Sequence, residues 1–202
     1  MVDDIAVRER LSESALLALR TVPRHRFVPR EFRAESYENH PLPIGEEQTI
    51  SQPFMVAWLG DAVGAMQGRR ILEIGTGCGY QAAVLAEMGA EVWSIEIRAG
   101  LARSARALLD GTGYSRVQTR IGDGCSGWME MAPFDGVVLT AAPEQVPDSL
   151  FAQVAEGGVL VAPVGPQDSH QELVRWRRSR GGTWDAEPLG GVRFVPLVQE
   201  RR

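Results

Sequence analysis

The apolar positions along this chain change rhythm twice, and those changes mark its organisation. Leu11, Ala15, Leu16 and Leu19 recur at i, i+4, i+5 and i+8, which predicts an amphipathic helix over 7–19 that stops at Val22-Pro23. Met55, Val56, Leu59 and Val63 predict a second helix over 54–66. The intervening residues 23–53 carry Pro23, Pro29, Pro41, Pro43 and Pro53, with Phe27, Val28, Phe32, Tyr37 and Ile44 spread among them. That composition predicts a long ordered loop packed on the domain. From Arg70 onward short β-branched runs alternate with helical segments: strand 71–74, helix 79–88, strand 91–95, helix 99–110, strands 117–121 and 135–139, helix 147–155 and strand 159–163. Alternation of this kind predicts a parallel sheet covered by helices on both faces. Beyond Gly165 the period falls to two, over 171–178 and again over 190–196, separated by Ser179-Arg-Gly-Gly182 and a polar stretch. These read as an antiparallel pair closing one sheet edge. The expected fold is therefore α/β, a doubly wound and mostly parallel sheet with an antiparallel C-terminal strand pair and an N-terminal helical extension. All 202 residues are expected to form one domain, divided into 1–66, 67–165 and 166–202.

Composition narrows the function classes. A net charge of −5 argues against a nucleic-acid binder that relies on phosphate neutralisation. Cys78 and Cys125 lie far from any C-x-x-C pattern, the N-terminus carries no signal peptide, and no apolar run reaches 18 residues. The expectation is a reduced, cytoplasmic protein that does not span a membrane. His25, His40 and His170 are scattered without metal-ligand spacing, so no metal site is expected.

The candidate chemistry centres on Ile71-Leu-Glu-Ile-Gly-Thr-Gly-Cys-Gly-Tyr80, a strand that breaks into three alternate glycines before a helix. Glycine serves where backbone takes positive φ or must lie against a ligand with no Cβ between them. The following helix N-terminus offers free N–H groups and a positive dipole end. A dinucleotide fingerprint, G-x-G-x-x-G, fits Gly75 and Gly77 but would need glycine where Tyr80 stands. The pattern present is E-x-G-x-G-x-G, led by Glu73 and including Thr76 and Gly79. Glu96 ends the next strand, 21 residues after Gly75, where an acid can accept from a ribose diol. Asp123, in Gly122-Asp-Gly124, ends the third strand and can accept from an adenine amino group; an ordinary Asp-Gly turn is the plain alternative. Thr140 ends the fourth, followed by Ala141 and Ala142, which leave room. Parallel α/β sheets bind ligands at this edge, so these positions are expected to form one site.

Gln48-Thr-Ile-Ser-Gln-Pro53 precedes that machinery and opens a helix. Ser51 suits an N-cap with Pro53 in the first turn, and equally a hydrogen-bond donor to a substrate carboxylate. A nucleophilic role is disfavoured, because no G-x-S-x-G elbow exists.

Taken together, Val22-Pro-Arg-His-Arg-Phe-Val-Pro29, Pro41-Leu-Pro-Ile-Gly45, Gln48–Pro53, Leu72–Ala83, Gly122–Gly124, Ala132–Asp135, Thr140–Ala142 and Val192-Arg-Phe-Val-Pro-Leu197 resemble the protein-L-isoaspartate (D-aspartate) O-methyltransferase family over residues 10–198. The resemblance implies a class I methyltransferase (Rossmann-like) fold that binds S-adenosyl-L-methionine. It implies methylation of the isoaspartyl α-carboxylate in damaged proteins and peptides, by a protein expected to be monomeric, with neither nucleic acid nor membrane as partner. By matching position it makes Ser51 the active-site serine. Glu73, Gly75, Thr76, Gly77, Gly79, Glu96, Asp123, Gly124 and Thr140 become cofactor contacts, and Thr49, Ile50, Ser51 and Val195 become substrate contacts. Phe54 stands where some members have histidine, and Cys78 replaces a small hydroxyl residue in the glycine turn.

Overall fold

The computed structural model describes residues 1, 2, 5, 11–166 and 169–199. A helix α1 (Glu13–Thr21) opens the main part of the chain, capped by Ser12, whose hydroxyl accepts from Ala15 N. The expected helix over 7–19 is thus displaced toward the C-terminus, and its residues 7–10 lie outside the described residues. Ser12 also donates from N and Oγ to the Asp61 carboxylate, at 2.8 and 2.5 Å, tying the start of α1 to the next helix.

The proline-rich segment is ordered as expected, through 3₁₀ turns at Arg24–Arg26 and Arg30–Glu35, and it ends in a hairpin that the sequence pattern did not announce. Strands β1 (Leu42–Gly45) and β2 (Gln48–Ile50) pair antiparallel around a tip where Gly45, Glu46 and Glu47 all take positive φ. Helix α2 (Pro53–Val63) follows, stopped by Gly64 in the left-handed conformation, so it is a turn shorter than its apolar spacing suggests.

The remainder is a seven-stranded sheet. Its strands are β3 (Arg70–Ile74), β4 (Glu91–Glu96), β5 (Gln118–Ile121), β6 (Phe134–Leu139), β7 (Val154–Val164), β8 (Gln171–Arg178) and β9 (Trp184–Val192), in spatial order 5-4-3-6-7-8-9. The first five are parallel, and β8 and β9 add antiparallel. Helices α3 (Tyr80–Glu87), α4 (Ala99–Gly111) and the short α5 (Asp148–Phe151) fill the connections. Successive residues of a strand point to opposite faces, and the core divides accordingly. Ile71, Val138, Val159 and Val161 pack with α1 to α4, while Leu72, Val137, Leu139 and Leu160 pack with Leu150 of α5. The order in which strands are added reverses between β3 and β6, and the carboxyl ends of these two parallel strands define the crevice where open α/β sheets take ligands.

Two boundaries differ from the sequence expectation for identifiable reasons. The helix expected over 147–155 is only Asp148–Phe151, because Val154 already pairs with Phe134. A register shift then absorbs Glu156 to Gly158, where Gly157 has φ 75° and a Cβ on Gly158 would lie 2.9 Å from Asp135 O. The last strand is Trp184–Val192, not 190–196. Its first half reads as polar because β9 is an edge strand open to solvent, and an edge also tolerates Pro188. The apolar alternation of 192–197 serves a different contact: Ala142 N donates to Val195 O and Leu197 N donates to Ala142 O, at 2.8 and 2.9 Å.

Candidate active site

Strand β3 delivers its chain to the crevice and turns at once. Gly75 N and Thr76 N both donate to Ile95 O, at 2.9 and 3.2 Å, which folds the turn back over the end of β4. Gly75 has φ 100°, and a Cβ there would lie 2.4 Å from Thr140 Oγ1. That hydroxyl is itself fixed, donating toward Gly75 O at 2.6 Å and Ile74 O at 3.0 Å. Gly77 has φ 54° and packs under Ile44 of the β1–β2 hairpin, so the hairpin lies over the glycine turn. Gly79, at φ 91°, is the N-cap of α3 and faces Leu109 and Ala105 of α4.

Glu96 closes the ring of this turn. Its Oε2 accepts from Gly77 N at 2.8 Å and its Oε1 from Arg98 N at 2.9 Å, with the side chain almost buried. An ionised carboxylate accepts at both oxygens and retains further lone pairs, so Glu96 has acceptor capacity left to turn toward a ligand. The glycine turn, Glu96, Ile97, Arg98, Gly124, Thr140 and Ala141 line one continuous cleft of about 770 Å³ including its open mouth, with Gln48 to Ser51 and Val195 to Val198 completing its walls.

Not every expected residue reaches that cleft. Asp123 sits at its margin as the N-cap of the Gly124–Ser126 turn, its side chain accepting from Cys125 N at 2.9 Å. Glu73 lies beneath the turn, fully buried, accepting from Ser94 Oγ, which in turn shares a 2.6 Å hydrogen bond with Thr76 Oγ1. Gly79 faces α4 and is likewise not part of the cleft lining. Conversely, Ile97, Arg98 and Val198 line the cleft with no signal in the sequence pattern beyond adjacency to residues already singled out, and Gln48 and Leu197 line it as the ends of two motif segments.

Burial pushes the Glu73 carboxyl up to about 8; the Ser94 hydroxyl opposes the shift and the Glu96 charge adds to it. The folded value lies above the ordinary value of 4.5, so the folded chain favours the protonated acid. Its contribution to stability is complete below pH 4.5 and is lost as pH rises through about 8. Glu73→Gln keeps the shape and an acceptor for Ser94 without a charge. Its stability advantage over the wild type should be small at pH 5 and grow to on the order of 4 kcal/mol at pH 9, read by urea denaturation at each pH. An advantage that stays constant across this range rules out a proton on Glu73.

A second groove, about 1290 Å³ with its open mouth, adjoins the first. Thr49, Ser51, Thr140 and Val195 line both, while Met55, His170 and Arg193 belong to the second alone. Ser51 is therefore at the junction. It is not the N-cap of α2: that position falls to Gln52, and the N–H of Phe54 is satisfied from outside by Asn39 Oδ1 at 3.0 Å. Val195 is held at the junction by the hydrogen bond from Ala142 N to its carbonyl, which locks the C-terminal segment to the end of β6.

The family model for protein-L-isoaspartate(D-aspartate) O-methyltransferase matches residues 3–202. The chain belongs to this family. Its relatives include the protein-L-isoaspartate O-methyltransferase of Opitutus terrae, 52% identical over 199 residues that cover 98% of this chain and 85% of that one. Among solved structures, a protein-L-isoaspartate O-methyltransferase superposes with a TM-score of 0.87 at 27% identity, covering 97% of this chain and 65% of the other. A candidate protein-L-isoaspartate O-methyltransferase from Plasmodium falciparum, in complex with S-adenosyl-L-homocysteine, superposes with a TM-score of 0.84 over 98% of this chain and 96% of that one. At 20% identity the second likeness speaks for the fold. Protein-L-isoaspartate O-methyltransferases act on isoaspartyl residues of proteins. Among the described residues, no helix is long and apolar enough to cross a membrane.

Proposed function

We propose that this chain transfers a methyl group from S-adenosyl-L-methionine to the α-carboxylate of L-isoaspartyl, and D-aspartyl, residues in damaged proteins and peptides, starting their repair through a methyl ester and a succinimide. The observation that carries this reading is the junction of the two clefts at Thr49, Ser51, Thr140 and Val195.

The residues of the first cleft suit the methyl donor. Removing a Cβ at Gly75 and Gly77 brings backbone to the cleft wall, and Glu96 presents a carboxylate to hydroxyl groups such as those of a ribose. Gly124 and Thr140 would flank the donor from the neighbouring strand ends, with Thr76 on the turn itself. When bound, S-adenosyl-L-methionine supplies a methyl group activated by a sulfonium, which an ionised carboxylate takes directly.

The chain has no proton to remove from the acceptor, because an α-carboxylate is already ionised near neutral pH. What Ser51 contributes is orientation: its hydroxyl donates to the carboxylate and holds an oxygen toward the donor cleft. Thr49 frames the acceptor from β2, with Ile50 beside it on the donor side of the junction, and Val195 offers backbone on the opposite wall. The hairpin over Gly77 limits water at the donor side. Alignment of this kind supplies several kcal/mol, up to roughly 7–11 in well-oriented models. The reading includes a cytoplasmic, monomeric enzyme without nucleic-acid or membrane partners.

The test is methyl transfer from labelled S-adenosyl-L-methionine to an isoaspartyl peptide and to its normal aspartyl twin. Base-labile label should appear in the first and stay at background in the second. Equal labelling of both peptides, or of neither, removes the reading.

A further inference from the structure

The acceptor groove carries a charge pattern that methyl transfer does not use. Among its described lining residues the ionisable side chains are Arg193 and His170, both exposed, and no carboxylate is present. The chain as a whole has 26 acidic against 21 basic residues, so a groove lined by basic groups alone runs against the background. Arg193 has no ion-pair partner among the described residues. Neither side chain borders the donor cleft, whereas the reacting carboxylate has to lie at the junction that Ser51, Thr140 and Val195 form. Arg193 and His170 are thus placed to meet a different part of the acceptor.

The register of that part follows from chain geometry. Arg193 is two residues from Val195, roughly 6–7 Å along extended backbone, and alternate side chains of an extended peptide share a face. A peptide whose isoaspartyl residue lies beside Val195 brings the side chain two positions away to Arg193. A guanidinium presents a planar fork of donors that matches a carboxylate. We propose that Arg193, assisted by His170, is a specificity residue that selects isoaspartyl substrates carrying Asp or Glu two residues from the isoaspartyl position. This rests on the methyl-transfer reading above and names the subset of substrates that it favours.

Two series of hexapeptides test it, with Glu, Gln or Lys placed two residues before or two residues after the isoaspartate. Turnover of the Gln peptides by the wild type reports on methyl transfer itself, separately from the preference. In one series at least, kcat/KM for Glu should exceed that for Gln by about threefold to tenfold and Lys should fall below Gln, with the difference in KM and shrinking as salt is raised. Arg193→Gln should bring the three peptides of that series within about twofold, and His170→Gln should narrow the ratio to a smaller degree. Equal kcat/KM across both series in the wild type, or a preference for Glu that survives Arg193→Gln, overturns the assignment.

Discussion

Ser51→Ala lowers turnover on an isoaspartyl peptide about a hundredfold and leaves the dissociation constant for S-adenosyl-L-methionine within about threefold of the wild type. This expectation follows from where the residue lies. Its hydroxyl borders both clefts, but the cofactor side is built mainly from the glycine turn and Glu96, which the substitution does not touch. Losing a single orienting hydrogen bond misplaces the reacting oxygen, and a misplacement near 1 Å costs on the order of a hundredfold. The fold should be unaffected, since Gln52 and Asn39 hold the start of α2. Single-turnover rates at saturating donor, with calorimetric titration of the donor alone, separate the two quantities. A variant with unchanged turnover removes Ser51 from the mechanism, and one that also loses the donor makes it a cofactor contact instead.

Glu96 is expected to show the opposite split. Glu96→Ala should weaken S-adenosyl-L-methionine binding by about 10-fold to 150-fold, the loss of one charge-assisted hydrogen bond to the donor at roughly 1.5–3 kcal/mol, and it leaves Gly77 N–H and Arg98 N–H without their acceptor. The near-isosteric Glu96→Gln is the sharper probe. Each carboxylate oxygen faces a backbone N–H, Oε2 toward Gly77 and Oε1 toward Arg98, so an amide in either orientation sets its NH₂ against a donor. Glu96→Gln should therefore lose nearly as much affinity as Glu96→Ala, and turnover at saturating donor should stay within about tenfold of wild type. Calorimetric titration of both variants decides: donor binding by Glu96→Gln within threefold of wild type leaves Glu96 no part in holding the donor.

Much of this was legible in the chain itself. The α/β alternation after Arg70 reports burial directly, because parallel strands covered on both faces are apolar throughout and their helices are apolar on one side. The glycine turn was legible because positive φ and close approach leave few residue types to choose from, as Gly75 against Thr140 illustrates. The hairpin Leu42–Ile50 was not legible. Its strands are three and four residues long, one holds Pro43, and its tip puts Glu46 and Glu47 at positive φ, where no sequence rule expects glutamate. The edge strand β9 failed for a related reason: solvent on its outer side removes the apolar signal that a strand rule needs. At the site, Glu96 and Ser51 stood out by position. Asp123 and Glu73 show the limit, because the direction of a carboxylate, into a cleft or beneath a turn, depends on neighbours such as Cys125 and Ser94 that are far apart in the chain or carry no motif. In the sequence Arg193 is only one member of a motif, and its groove exists only once β8 and β9 bring Gly191 to Val195 alongside β2.

Among the described residues, the two clefts meet along Thr49, Ser51, Thr140 and Val195. Away from that seam, Ile97 and Leu197 touch the donor side alone, and Met55 and Arg193 the acceptor side alone. Substitutions without shared neighbours combine additively in free energy. The molecule is in this sense two editable halves hinged on a short common edge: its taste in peptides is free to drift, or to be redesigned, while its methyl donor stays the same.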